Sequence, residues 1–272
     1  GGSVAAFDNL YLPRLHRAGR VADDTGAWQF DTASPGGYVM ESRPGLYDNV
    51  LVLDFKSLYP SIIRTFLIDP LGMACPGEDP VPGFLGATFS RRESILPDII
   101  GELWHRRDTA KESGNKALIQ AIKIIMNSFY GVLGSSGCRF YNPKLASSIT
   151  RRGHQIINRS RKWIETQGYQ VIYGDTDSLF VLLGPGVDEP EAQRSGRQLA
   201  HELNGYWRQT IEREFRLASF LEIEFETHYI RFLMPTIRGA ETGSKKRYAG
   251  YVRNNEGANE LIFKGLESVR SD

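Results

Sequence analysis

The chain has 272 residues, 41% of them hydrophobic, which is enough for one large domain or two modest ones around a substantial core. Lys and Arg total 33 against 32 Asp and Glu, so the net charge of +1 carries no global signature of nucleic-acid binding, and any such surface has to be local. The two cysteines, Cys75 and Cys138, lie far apart and suggest neither a disulfide framework nor a zinc ribbon, and no apolar stretch approaches the roughly 20 residues that span a bilayer.

In chain order, "AFDNLYLPRLHR" reads as a short helix and "DDTGAWQFDTASPGG" as a turn-rich loop or weak hairpin. The first residue is Gly, no leader pattern follows it, and the last residues are "ESVRSD", so an internal piece of a longer polypeptide is expected. Residues 50–55, "VLVLDF", form an apolar run that ends in an acid, the pattern of a buried strand with Asp54 near its C-terminal end. "SLYPSIIRTF" is a turn into a short helix, and residues 70–86 are dense in Gly and Pro and read as irregular connection. Ile99, Ile100, Leu103 and Trp104 then make a helical stripe closed by Gly114 and Asn115, and "KALIQAIKIIMNSFYG" starts a second helix at once. So short a link predicts a helical hairpin. A third helix, "KLASSITRRGHQIINRSRKWIETQG", stops at Gly168, and "YQVIYGDTDSLFVLL" reads as strand, turn and strand. A fourth helix, "EAQRSGRQLAHELNGYWRQTIEREF", leads into the strands "FLEIEFETHYIRFLMP" and "KKRYAGYVR".

The turn "GDTD" places Asp175 and Asp177 at a bend, either as ordinary turn residues or as oxygen ligands pushed beyond the backbone toward a hard cation. If this hairpin neighbours the strand of Asp54, three carboxylates converge, and a pair of divalent ions would relieve their repulsion and support in-line phosphoryl transfer. On the second hairpin helix Lys123, Asn127 and Tyr130 share a face, and near the end of the first Arg107 and Lys111 share another. Folding the hairpin would set Arg107, Lys111 and Lys123 along one wall, a cationic arrangement suited to a triphosphate. Lys123 also reads as a solvated helix face, although its apolar neighbours in "IQAIKIIMN" argue for enclosure. Basic pairs at Arg91 and Arg92, Arg106 and Arg107, and Arg151 and Arg152 are ordinary solvated charge unless a site claims them.

"DFKSLYPSII", "KIIMNSFYG" and "YGDTDS", in this order and with a helical hairpin ending in the second, resemble three motifs of the family B DNA polymerases. "KKRYAG" and "FKGLESVRSD" resemble two further segments, and the stretch from residue 34 to residue 70 is most similar to bacterial members. The resemblance implies an α+β fold, an antiparallel palm sheet with packed helices plus helical-hairpin fingers. It divides the chain into a connecting segment at 1–49, the palm's first part at 50–90, fingers at 91–133, and the palm's second part at 134–272, ending where a thumb would follow. The implied reaction is template-directed addition of deoxynucleoside triphosphates to a primer 3′-hydroxyl with two Mg²⁺ ions, Mn²⁺ being a substitute.

Position by position, the resemblance makes Asp54 and Asp177 the metal-binding carboxylates, with the carbonyl of Phe55 and, less directly, Asp175. Ser57, Leu58 and Tyr59 would meet the triphosphate through backbone N–H groups, and the Tyr59 ring would exclude a 2′-hydroxyl. By itself Tyr59 reads as a core tyrosine before a turn proline. Arg107, Lys111, Lys123 and Asn127 match phosphate-holding residues, Tyr130 and Gly131 the floor beneath the new base pair, and Lys245, Lys246, Arg247 and Tyr248 a strand that grips primer-template DNA. Glu222, Glu224 and Glu226 read as an exposed strand face, with approach to the metals as the alternative. The implied partners are primer-template DNA, deoxynucleoside triphosphates and, for a full-length protein, a sliding clamp, in the bacterial cytoplasm and without a membrane. Two rivals remain open: another palm-fold nucleotidyltransferase such as a cyclase, and a polymerase-like DNA-binding fragment with little or no chemistry.

Overall fold

A computed structural model describes residues 2–22, 42–235 and 247–265. The elements are α1 (Gly2–Arg17), β1 (Gly45–Phe55), α2 (Leu58–Phe66), α3 (Pro70–Ala74), β2 (Val81–Pro82), β3 (Thr88–Phe89), α4 (Ile95–Glu112), α5 (Lys116–Leu133), α6 (Pro143–Thr166), β4 (Gln170–Asp175), β5 (Ser178–Leu182), α7 (Glu189–Phe215), β6 (Ile223–Met234), β7 (Tyr248–Arg253) and β8 (Asn259–Lys264). The α+β class expected from the sequence is what folds. Two compact units carry it: Gly1–Gly36, Ser57–Gly153 and Thr210–Leu221 make a mainly helical unit, and Gly37–Lys56, His154–Gln209 and Glu222–Asp272 make a sheet unit. Residues 57–90 and 134–153 thus fall in the same unit as the α4–α5 hairpin.

In the helical unit, α4 and α5 are joined by three residues and packed on each other, with α1 and α2 against both. Gly114 takes φ +69° in the link, and Asn115 caps α5 by accepting the Leu118 N–H at 3.1 Å. Burial fixes α1 in place through aromatic rings. Phe7 stacks on Tyr11 with centroids 5.3 Å apart and meets the edge of Phe129 on α5 at 5.5 Å.

Beneath them lies a buried polar junction at Asp69. Its carboxylate caps α3 by accepting the Gly72 N–H at 2.8 Å, holds the first turn of α4 through the Leu96 N–H at 2.8 Å, and accepts the Tyr11 hydroxyl at 3.0 Å. One side chain therefore ties the starts of two helices to a third. The sequence shows Asp69 only as a polar residue before Pro70, and residues 70–86, read as wholly irregular, contain α3 and β2, which pairs with β3 just beyond them.

The sheet unit is built on six strands in the order β4-β5-β1-β6-β7-β8, with every neighbouring pair antiparallel. Val50, Val52, Ile172, Tyr173, Phe180, Tyr229, Phe232 and Met234 form one buried cluster on it. The residues of α7 within this unit pack closely: a Cβ on Gly196 would stand 2.6 Å from the Phe225 ring, so only glycine admits the contact. The Asn204 side chain pairs with both backbone groups of Ile223, at 2.8 and 3.0 Å, and fixes the start of β6.

β1 begins five residues before the strand read from the sequence, and β8 was not read at all. Its stretch "NELIFK" lacks alternation, and Leu261 and Phe263 remain 43% and 50% exposed. The turn-rich loop, Lys245 and Lys246 lie outside the described residues.

Candidate active site

The end of β1 and the β4–β5 turn meet because the sheet register makes them meet. Asp54 lies opposite Ser178 on β5, Ser178 opposite Asp175 on β4, and Glu224 of β6 opposite Asp54 on the other side. The Phe55 N–H donates to the Asp177 carbonyl at 2.7 Å, so the turn's backbone is bonded to the residue after Asp54. A two-residue turn between β4 and β5 leaves Asp177 at the tip.

The three aspartates differ in their surroundings. Asp175 uses Oδ1 to accept the Thr176 N–H at 2.7 Å and the Thr176 hydroxyl at 3.3 Å, both within the turn. Asp54 is mostly buried, and burial pushes its carboxyl up to about 7, helped by the charges of Asp177 and Glu226 and opposed by Lys56. Asp177 is raised as well, first by burial and then by Asp175 and Glu226.

Lys56, which sequence reading passed over, reaches Asp54 Oδ2 at 3.0 Å and Glu224 Oε2 at 3.4 Å. Burial acts to lower its ammonium, but Asp54, Glu224 and Glu226 together hold it above the ordinary value. Its signal in the sequence is position: two residues beyond a strand acid, a side chain leans toward the same sheet face.

Among the described residues no three acidic, histidine or cysteine side chains gather as a self-sufficient metal cage. The convergence of three carboxylates expected from the sequence is therefore not shown, although a Mg²⁺ ion usually takes only one or two carboxylates and completes its shell with water and phosphate oxygens. A half-buried Asp54 whose charge is opposed by Asp177 at the exposed tip of the turn is a donor set that gains from a divalent cation.

In the helical unit, Tyr59 and Tyr130 lie with ring centroids 4.8 Å apart, and a Cβ on Gly153 would stand 3.2 Å from the Tyr59 ring. Two aromatic residues implicated by the resemblance are thus neighbours across α2 and α5. Ser57 just before α2 has φ +44°, a left-handed turn before the helix begins, and Leu58 is buried. Asn127 and Gly131 are exposed and Lys123 is half-buried. Enclosure of Lys123 by its apolar run is not what forms, because Ile124 next to it is 60% exposed and Leu118 is 45% exposed.

Lys111 is exposed, whereas Arg107 is 2% exposed and lies over the Trp104 ring at 4.4 Å, with Asp108 at 3.4 Å. The structure therefore does not set Arg107 and Lys111 side by side on an open face. Arg247 is exposed, and Tyr248 packs into the sheet core, 5.1 Å from Phe180 and 5.2 Å from Phe232. Glu224 and Glu226 are exposed and Glu222 is half-buried.

The family model "DNA polymerase family B" matches residues 10–79 and 84–272. The chain belongs to DNA polymerase family B. It is 60% identical to DNA polymerase II of Escherichia coli (strain K12) over 277 aligned residues, covering 100% of this chain and 35% of that protein. DNA polymerase 1 of Pyrococcus abyssi (strain GE5 / Orsay) is 32% identical over 87% of the chain and 30% of its own length, and the DNA polymerase delta catalytic subunit of Glycine max is 31% identical over 97% and 25%. The chain spans about a third or less of the length of these relatives. The likeness to a bacterial member agrees with the stretch singled out in the sequence. Among the described residues no helix is long and apolar enough to cross a membrane.

Proposed function

We propose that this chain carries the catalytic carboxylates and nucleotide-handling residues of a DNA-directed DNA polymerase, which adds a deoxynucleoside triphosphate to a primer 3′-hydroxyl and releases pyrophosphate. The observation that carries the reading is the pairing of Asp54 and Asp177 at one corner of the sheet, with both carboxyls raised by burial and by acidic neighbours. Asp54, Asp177 and the carbonyl of Phe55 would hold Mg²⁺, with Asp175 closing the turn that presents Asp177. Bound there, the metal would supply activation of the attacking hydroxyl and charge stabilisation at the phosphorus and the leaving oxygen.

The remaining work falls to the chain's own side chains. Lys111 and Asn127, exposed on the hairpin, and the half-buried Lys123 neutralise and orient the triphosphate. Ser57, Leu58 and Tyr59 offer backbone N–H groups at the start of α2, where such donors have no helical partner. The Tyr59 ring, held between Tyr130 and Gly153, is too confined to yield to a 2′-hydroxyl. Tyr130 and Gly131 form the floor of the base pair, and Arg247 contributes a phosphate contact to primer-template DNA next to Lys245 and Lys246. A sliding clamp would be a partner of the full-length polypeptide.

Primer extension by the full-length polypeptide with Mg²⁺ tests the reading. Template-dictated products that vanish in Asp54→Asn support it. Template-independent or cyclised products would favour another nucleotidyltransferase, and DNA binding without any extension would favour a non-catalytic fragment. Tyr59→Ala should raise ribonucleotide incorporation, and unchanged discrimination would place the gate elsewhere.

A further inference from the structure

Lys56 stands where the backbone still follows the sheet: its N–H donates to the Glu222 carbonyl at 2.8 Å. Asp54 and Glu224 face each other across β1 and β6, and like charges directly opposite repel. The Lys56 ammonium relieves that repulsion by reaching Asp54 at 3.0 Å and Glu224 at 3.4 Å. Any divalent ion held by Asp54 must approach the same carboxylate, and two cations crowded on one carboxylate repel each other.

We propose that Lys56 is a tethered counter-cation that competes with the divalent ion for Asp54 and swings onto Glu224 when the ion loads. The proposal rests on the reading of Asp54 and Asp177 as metal ligands. Glu224 suits the receiving role because its side chain is 46% exposed and remains open to Lys56 after Asp54 is taken. A tethered charge acts at high effective concentration, so a weakly held ion loses the contest. An ion that arrives with the oxygens of a triphosphate brings additional ligands and wins it. Lys56 thereby ties metal loading to nucleotide arrival.

The test is Mn²⁺ binding to the whole chain, followed by the loss of the free-ion paramagnetic resonance signal without nucleotide. Lys56→Met should bind Mn²⁺ about tenfold more tightly than the unaltered chain, and Lys56→Arg, which keeps the charge, should return the affinity to the original value. Asp54→Asn should abolish the gain in the Lys56→Met background. Equal affinity in the unaltered chain and Lys56→Met, with binding still dependent on Asp54, would overturn the competition while leaving the metal reading intact. Binding indifferent to both Asp54→Asn and Asp177→Asn would overturn the metal reading and the inference with it. A second measurement needs no substitution: after reductive ¹³C-methylation of lysines, the Lys56 methyl resonance should move as Mg²⁺ is added, and a stationary resonance would refute displacement.

Discussion

Asp54 and Asp177 stand at the end of a sheet whose hydrogen-bond ladder fixes them to the residue, whereas Arg107, Lys111 and Lys123 ride on helices whose packing decides what each side chain meets. In the sheet, the register Asp54 to Ser178 and the bond from the Phe55 N–H to the Asp177 carbonyl bring charges together at a cost to their ionised forms. In the hairpin, the cation nearest the core has been absorbed into packing, with Arg107 laid over Trp104, while Lys111 remains in solvent. Acids held against their own preference add nothing to stability as charges. A buried arginine stacked on an indole serves stability first.

Removing one acid gives the largest expected effect. Asp177→Ala in the full-length polypeptide should lower nucleotide addition by about a thousandfold or more, since electrostatic stabilisation by a metal is worth several kcal/mol of barrier. The same change should leave urea stability equal or higher at pH 8, because it removes a charge that burial and Asp175 disfavour. Lost stability with retained extension would reverse the contrast between the two regions.

Next in size is the junction at Asp69. Asp69→Ala leaves the buried N–H groups of Gly72 and Leu96 and the Tyr11 hydroxyl without their acceptor and should cost about 3 kcal/mol, measured by urea unfolding. Burial raises the Asp69 carboxyl to about 6 despite its donors, so the folded state holds the proton more tightly than the unfolded chain. The extra stability that comes with its proton is therefore complete below about pH 4 and is lost as pH rises through about 6, while its role as acceptor persists. A component of declining stability across that window should be present in the unaltered chain and absent in Asp69→Asn. An unchanged slope would show that Asp69 does not titrate there.

These cases also mark what the sequence discloses. The apolar run ending at Asp54, the helix stop at Gly168 and the link at Gly114 and Asn115 are local signals, and each element they announce is present. Asp69 depends on Tyr11, 58 residues earlier, and on Leu96, 27 residues later, and no local pattern carries partners that distant. Tyr248 sits in a basic run yet packs among the rings of Tyr173, Phe180 and Phe232, because alternate residues of a strand face opposite sides. The apolar run around Lys123 suggested enclosure, but a helical run wraps its whole circumference, and the buried stripe of α5 is Ile122, Met126, Phe129, Val132 and Leu133.

Arg107→Met comes third. It keeps the unbranched stem while removing the guanidinium over Trp104 and the pairing with Asp108, and should destabilise the chain by about 2 kcal/mol. A stable Arg107→Met variant whose only defect is weaker triphosphate binding would place Arg107 with the phosphate-holding cations instead.

The smallest expected effect on stability belongs to Lys111→Ala and Lys123→Ala, and it is the sharpest test of what those lysines are for. Lys111 is exposed near the end of α4, and Lys123 is half-buried on α5 between Ile122, which is enclosed, and Ile124, which is open to solvent. Alanine is the better helix former, and charge contacts at or near the surface contribute little to stability. Each substitution should therefore change unfolding free energy by less than about 0.5 kcal/mol. If these side chains hold a triphosphate, the cost appears only when nucleotide is present: KM should rise and its salt dependence should flatten, because a charge contact screened by ions has been removed. A loss of stability comparable to that of Arg107→Met would mean that the fold, and not the nucleotide, is what Lys123 serves.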